Sequence, residues 1–286
     1  MKKFKDSSWY LPLYRFFQNK LSVIGALIII TVVILAIFAP YIAPYPEDAG
    51  GAIHFSDTFQ PPSRKHLLGT DDVGRDVLSR ILIGSRISLM LGIVVLTIAV
   101  LIGVPLGLIA GYSGGTTEKV IMRITDIFLS IPPLVLALAI SAAFEPNLRN
   151  SMIAIAFSWW PWYTRLAYGE ALSIKEEDFI EVAESLGASK WYIIFREILP
   201  NMTSTLVVKI SLDFGYAILT GAALGFLGLG AQPPTPEWGT MVSLGREYLP
   251  NVWWISTFSG LAIFITVLGF NLLGDGLRDF FDVEVN

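Results

Sequence analysis

The chain has 286 residues, of which 53% are hydrophobic and only 15% are charged, and its formal net charge is −4. Soluble domains carry about a quarter charged residues, so this composition excludes a soluble globular protein and predicts a multi-pass membrane protein. The chain contains no cysteine, which excludes disulfides, thiolate catalysis and thiolate metal sites.

A basic N-terminal segment, residues 1–20, precedes the first apolar run. Residues 21–43 carry no charge and are long enough to cross about 30 Å of hydrocarbon. This run is too long for a signal peptide and has no clear small-residue cleavage site, so we expect a first transmembrane helix that is retained.

A polar segment, residues 44–86, follows the first run and is predicted to be an extracytoplasmic loop. Within it, the sequence HLLGTDDVGRDVLSR at 66–80 contains Gly69 and Gly74, which favour tight turns. We expect a short surface helix in this part of the loop.

Five further apolar runs make up a predicted five-helix core, residues 87–274, and a polar tail follows at 275–286. The predicted spans are 87–112, 127–144, 151–164, 202–231 and 252–273. The run at 151–164 is the weakest, because Pro161 interrupts it and Arg165 ends it. The fold class is therefore all-α and polytopic, with six transmembrane helices.

The distribution of Lys and Arg predicts the orientation. With six spans, twelve basic residues lie on the side of the N-terminus and seven on the other side. Basic residues concentrate on the cytoplasmic side, so we expect both termini in the cytoplasm of a cell-membrane protein.

Residues 170–201 are the longest charged interruption among the apolar runs. A short helix here would carry acidic residues on one side. Its opposite side would be apolar, formed by Phe179, Ile180, Val182, Ala183 and Leu186. A second helix after Gly187, capped by Ser189, would carry Trp191, Ile194, Phe195 and Ile198 and end near Pro200. This pattern predicts a docking device on the membrane surface, although an ordinary interfacial loop would show the same pattern.

Four motifs in this order resemble permease subunits of ATP-binding-cassette (ABC) importers, most of all the second (C-type) permease of the dipeptide, oligopeptide and nickel family. They are GTDDVGRDVLSR at 69–80, the E-A-A pattern from Glu181 to Pro200, FLGLGAQPPTPEWG at 226–239 and GLAIFITVLGFNLLGDGLRD at 260–279. The resemblance implies the type I importer permease fold, with 170–201 as a cytoplasmic coupling loop.

In that family the E-A-A loop lies in a groove of the ATPase subunit. Two departures occur here, because Val182 replaces the middle alanine and Glu197 stands where the general pattern has isoleucine. The coupling residues that the resemblance implies are Glu181, Ala183, Glu184, Leu186, Gly187, Ala188, Ser189, Leu199 and Pro200.

The chain itself has no Gly-Lys-Ser/Thr phosphate loop, so ATP hydrolysis must come from a partner. The resemblance implies two ABC ATPase subunits that carry ATP and Mg, a homologous second permease, and an extracytoplasmic solute-binding protein. We expect no catalytic residue, cofactor or metal on this chain and no nucleic-acid partner; its remaining surface faces the lipid bilayer.

Two features inside the fifth span are candidate sites. Lys209 and Asp213 are four residues apart, so they share a helix face and can neutralise each other, either as a structural pair or as a polar lining of the path. Gly221 permits close helix approach. Many relatives have a glutamate at the position of Gly221, and its absence here weakens the case for a cationic solute.

The substrate is the least determined feature. Peptides are the family's commonest cargo, some relatives carry oligosaccharides, and nickel is a weaker alternative because no span has a suitable ligand cluster. A stand-alone secondary transporter would need an internal repeat and more buried charges. An intramembrane enzyme would need partners for His54 or His66, which the spans do not offer.

Overall fold

The structure, a computed structural model, describes Tyr14 and residues 16–281, and its regular elements are helices. The predicted N-terminal segment and residues 282–286 of the tail therefore lie largely outside the described residues. The helices are α1 (Lys20–Ile42), α2 (Val77–Ser113), α3 (Gly115–Leu129), α4 (Pro133–Ala142), α5 (Leu148–Lys175), α6 (Asp178–Ser185), α7 (residues 190–201), α8 (Thr203–Phe226), α9 (Trp238–Arg246) and α10 (Trp253–Phe281).

Four helices of the described part, α1, α2, α8 and α10, are long and apolar enough to cross a membrane. The pair α3 and α4 would add a fifth crossing if it forms one span. Length and composition alone therefore support four or five crossings rather than the predicted six.

The predicted third span, 127–144, is not a straight helix. Helices α3 and α4 meet at an angle of 83°. Pro132 and Pro133 lie at this break, where a proline ring excludes the helical conformation of the preceding residue and removes a backbone donor.

Helix α5 is twice as long as the apolar run predicted at 151–164. It begins at Leu148 with Asn147 as its N-cap, and it continues through Pro161 to Lys175. Its inner residues are buried against α2, so it does not need an apolar surface on every side. Residues 170–175, predicted as part of the coupling loop, belong to this helix.

Three glycines of α2 set the contact between α2 and α5. A Cβ at Gly103, Gly107 or Gly111 would lie 2.7 Å from the Cβ of Tyr163, Ala167 or Ala171 respectively. Glycines at four-residue spacing let two helix backbones approach closely, which is how membrane helices associate without a hydrophobic driving force.

The loop at residues 44–76, predicted to be extracytoplasmic, is held by buried polar contacts, and the predicted surface helix within 66–80 is replaced by the first turn of α2. Asp76 caps this helix, because its carboxylate accepts from the Ser79 amide at 2.8 Å, and it also contacts His66 Nδ1 at 3.0 Å. The buried Asp48 carboxylate accepts from the Asp76 amide at 2.7 Å. Helix α2 therefore begins at Val77, ten residues before the predicted span.

The first helix and the last pack against each other. Gly25 of α1 lies against the backbone of Leu272 and Leu273, and Gly269 of α10 lies against Ile28. The Asn19 side-chain amide also donates to Asp279 at 3.0 Å. Helix α10 continues to Phe281, so part of the predicted polar tail is helical.

Candidate functional site

Gly187 forms the turn between α6 and α7, as predicted. Its φ is +81°, in the left-handed region that glycine adopts without steric penalty. The Ala188 amide donates to the Ala183 carbonyl at 3.0 Å and the Gly187 amide to Glu184 at 2.9 Å. These two bonds form a Schellman motif, in which small residues at 183 and 188 meet across the turn. The spacing of the E-A-A pattern thus has a direct structural reason.

Ser189 caps α7, since its hydroxyl accepts from the Tyr192 amide at 3.2 Å. Pro200 lies one residue before the end of this helix at Asn201, close to the predicted end. The backbone widens to a π-helical turn at Ile193–Ile198 and then continues through Leu199–Asn201. Wider turns accommodate a residue that cannot donate an ordinary helical hydrogen bond.

The apolar side predicted for α6 divides into a buried part and an exposed part. Ile180 is buried in the main core, together with Ile193, Ile194 and Ile198 of α7. Val182 and Leu186, by contrast, are 57% and 83% exposed. The α6–α7 segment is therefore anchored by isoleucines while it presents apolar side chains outward.

These exposed side chains border an open cleft of about 510 Å³. Its lining includes Ala183, Leu186, Gly187, Ala188 and Ser189 of the predicted coupling set. Half-buried Glu197 also lines the cleft, so the position that departs from the general pattern is part of this surface. An exposed apolar surface with a concave centre is typical of a protein–protein contact.

One polar contact joins the α6–α7 segment to the helices of the core, and a second joins two of those helices beside it. The Tyr112 hydroxyl, at the end of α2, donates to the Glu184 carboxylate at 2.8 Å. The Lys175 ammonium, at the end of α5, donates to the Tyr112 carbonyl at 3.1 Å. The sequence reasoning missed Tyr112; its position at the end of the predicted second span was the available signal.

Glu181 and Pro200 are exposed on this segment, and Leu199 packs partly against the core. The structure therefore brings together the predicted coupling residues within one short helical hairpin. An exposed ion pair between Arg165 of α5 and Asp126 of α3 links the bent pair of helices to α5.

Lys209 and Asp213 form the predicted pair on α8, with the ammonium 2.9 Å from a carboxylate oxygen. The Asp213 side chain is 8% exposed and the Lys209 side chain 30% exposed. The buried Tyr163 hydroxyl of α5 lies near the same carboxylate, outside strict hydrogen-bonding geometry.

Gly221, the third candidate in this helix, is buried at the contact with α2. A Cβ there would lie 2.7 Å from Leu91 Cδ2. The position therefore serves close helix packing in this chain, and a larger side chain would displace Leu91.

The motif at 226–239 ends at the start of an element that the sequence reasoning missed, the short helix α9. Glu237 caps it by accepting from the Gly239 and Thr240 amides at 2.9 and 2.8 Å. Burial of this carboxylate raises its pKa, which these hydrogen bonds oppose. The Trp238 indole then donates to the Ile81 carbonyl at 3.0 Å, which fixes α9 against α2. Glutamate as an N-cap is a weak sequence signal, which is why the helix escaped prediction.

Within residues 16–281, no group of three or more His, Asp or Glu side chains is placed to hold a metal ion. Polar side chains of the described residues instead form helix caps and ion pairs.

Comparison with known families gives two matches that together span most of the chain. Residues 103–286 match the binding-protein-dependent transport system inner membrane component. Residues 7–62 match the N-terminal transmembrane domain of oligopeptide transport permease C.

Curated relatives align over nearly the whole chain. The probable D,D-dipeptide transport system permease protein of Escherichia coli is 47% identical over 92% of this chain and 88% of that protein. The dipeptide transport system permease protein of Alkalihalophilus pseudofirmus is 44% identical over 98% of this chain and 91% of its own length. The corresponding dipeptide permease of Escherichia coli is 47% identical over 94% of this chain and 91% of its own length.

Among solved structures, an inward-facing form of the MetNI methionine ABC transporter matches with a TM-score of 0.57. The match has 18% sequence identity and covers 68% of this chain and 93% of that chain. At this identity the likeness shows the fold alone, and it confirms the predicted all-helical importer permease fold. Together with the family matches and the relatives, it shows that the chain belongs to the inner membrane components of binding-protein-dependent ABC transport systems, as a C-type permease subunit.

Proposed function

We propose that this chain forms half of the translocation path of an ATP-driven importer of dipeptides and oligopeptides. The other half would come from a homologous second permease, and two ATPase subunits would bind ATP and Mg. An extracytoplasmic binding protein would deliver the substrate. The observation that carries the proposal is the exposed apolar cleft around Gly187, built by the family's coupling motif in a chain without a phosphate loop.

The geometry supports a mechanical role for the α6–α7 hairpin. Its buried isoleucines fix it to the core, and Glu184 fixes it to Tyr112 of α2, which Lys175 of α5 also contacts. A push on the hairpin would therefore reach α2 and α5 together, because packed helices move as rigid bodies. The predicted coupling set from Glu181 to Pro200 would make the contact with the ATPase.

The proposed topology has both termini in the cytoplasm, with α6 and α7 on the same side. It needs six crossings, so α5 and the bent α3–α4 pair would each contribute one. The buried contact of α5 with α2 along Gly103, Gly107 and Gly111 supports this, because α2 is itself long and apolar enough to cross.

Peptides are favoured as the cargo by the relatives. Their names give dipeptide, D,D-dipeptide, di/tripeptide and glutathione transport, all short peptides. Oligosaccharide or nickel import and stand-alone secondary transport have no comparable support among these relatives.

The test is reconstitution of this chain with its second permease and ATPase subunits in proteoliposomes, with the binding protein added outside. A radiolabelled dipeptide should accumulate only when ATP and Mg are enclosed. Each component omitted singly, including this chain, should abolish accumulation. Uptake by the purified chain alone without ATP, or uptake of a labelled oligosaccharide in preference to dipeptides, would contradict the proposal.

Charge reversal at Glu181 is expected to weaken ATPase association several-fold, because an exposed carboxylate on the docking hairpin would become a like charge facing a basic partner. Co-purification of the ATPase with a tagged Glu181→Lys chain measures this. The matched control is Glu145→Lys, which makes the same charge change at an exposed site outside the hairpin. Equal ATPase recovery with both variants would remove Glu181 from the contact.

A further inference from the structure

One face of α8 carries a polar stripe, defined as residues 205, 209, 213, 216 and 220. These residues are Thr205, Lys209, Asp213, Tyr216 and Thr220. They are spaced four, four, three and four residues apart, so they share one side of the helix. The stripe extends through most of a helix that is long and apolar enough to cross a membrane.

Most of the stripe is accessible. Tyr216 is 53% exposed, the Lys209 side chain is 30% exposed, and Thr205 and Thr220 are half-buried. Only Asp213 is buried, beneath the Lys209 ammonium. Pairing with Asp213 does not explain why Lys209 is accessible, because the ion pair would be equally well formed if the Lys209 ammonium were fully buried in the protein.

The same helix also exposes an apolar side chain on another side. Val207 is 39% exposed and lies off the stripe, on one side with half-buried Ser211, whereas exposed Leu219 borders the stripe, three residues after Tyr216. The side of Val207 suits lipid or an apolar protein contact. A partly exposed ammonium facing hydrocarbon would be costly, by several kcal/mol, so the stripe needs water or polar groups in front of it.

The chemistry of Lys209 indicates which chemical group of a substrate this stripe would bind. A lysine ammonium has three donors, and Asp213 takes one of them at 2.9 Å. The carboxylate of Asp213 is buried, whereas the ammonium is the partly exposed member of the pair. The stripe therefore presents a cationic donor group, and a free peptide carries a matching group, its C-terminal carboxylate.

We propose that the polar stripe of α8 lines the water-filled path, and that Lys209 is the transient contact for the carboxylate of the passing peptide. This rests on the proposed importer function and assigns a surface and a residue within it. Asp213 is then a positioning residue, since it holds the ammonium without reaching the path.

The absence of cysteine from this chain permits a direct test in the assembled importer, with cysteines removed from the other subunits. Single cysteines at stripe positions 205, 216 and 220 are compared with cysteines at the accessible off-stripe positions 207 and 211. A charged, membrane-impermeant methanethiosulfonate is the probe, applied to both sides of the membrane during ATP-driven turnover.

Stripe positions should react at least about tenfold faster than positions 207 and 211, because thiolate chemistry needs water. Saturating dipeptide should slow the reaction at the stripe and leave the off-stripe rates unchanged. Equal rates at all five positions, or protection of the stripe from the reagent throughout turnover, would overturn the inference. If either of these labelling results is found in variants that still take up dipeptide with ATP, the importer function stands and only the path assignment fails.

A second measurement isolates Lys209. Lys209→Gln should lower dipeptide uptake at least about tenfold through loss of a charge-assisted hydrogen bond, while Lys209→Arg should retain most of it. Both variants keep a hydrogen-bond donor for Asp213, so the helix should stay intact. Assembly of the importer and its basal ATPase activity are measured to check this. Unchanged uptake by an assembled Lys209→Gln importer would overturn the carboxylate contact.

Discussion

Replacing Gly187 by valine is expected to reduce ATP-driven dipeptide uptake at least about tenfold, because the turn between α6 and α7 requires a left-handed backbone. A non-glycine residue pays roughly 1–2 kcal/mol there, and a β-branched residue pays more. The chain would avoid this by opening the Schellman turn, which would separate Ala183 from Ala188 and change the shape of the docking cleft. Uptake and ATP hydrolysis are measured together in proteoliposomes.

Asparagine provides the matched control at the same position. It tolerates the left-handed conformation better than other side chains, and a Cβ at 187 has open space around it. Gly187→Asn should therefore keep most of the uptake. Full uptake by the valine variant would contradict a mechanical role for the turn. Equal loss of uptake in both variants would show that side-chain volume in the cleft matters more than the backbone conformation.

Replacing Gly107 by leucine is expected to have the largest effect on the fold. A Cβ at this position already meets the Cβ of Ala167 at 2.7 Å and the backbone of Tyr168 at 2.8 Å. Because backbone atoms cannot rotate away, α2 and α5 would have to separate, at a cost of about 3 kcal/mol or more. The purified variant should unfold at a clearly lower temperature in detergent, or fail to accumulate in the membrane.

The control for this prediction is Gly169→Leu in α5, where a Cβ would meet nothing within 4 Å. It introduces the same side chain into the same helix pair and should leave the unfolding temperature of the purified chain nearly unchanged. A Gly107 variant as stable as the Gly169 variant would show that the two helices are not held at this distance.

The apolar runs predicted α1 and α8 closely, because each is a continuous stretch whose ends are marked by polar or turn residues. The same signal placed the start of α2 ten residues late, since Asp76, Arg80 and their partners are polar side chains buried by the loop. Hydropathy measures compatibility with lipid and not burial within the protein, so the predicted span at 151–164 was also shorter than helix α5. Tertiary contacts decide both boundaries.

The candidate site was predictable where its reason is local. Gly187 and Ser189 occupy backbone positions that their residue types favour, so the turn and the cap follow from the sequence. The contact of Tyr112 with Glu184 joins residues 72 positions apart, and a hydrophobic pattern along the sequence does not predict such a long-range contact. The division of the apolar side of α6 into buried Ile180 and exposed Val182 and Leu186 was not predictable either, because it depends on how the helix packs against others.

The packing of α1 against α10 has a consequence for biogenesis. The first helix enters the bilayer early in synthesis, yet much of its partner surface, including Leu272 and Leu273 beside Gly25, is synthesised about 250 residues later. Helix α1 therefore remains without this partner in the lipid until the ribosome has translated α10. The contact between the two helices, with its hydrogen bond from Asn19 to Asp279, can form only after every other described helix has been made.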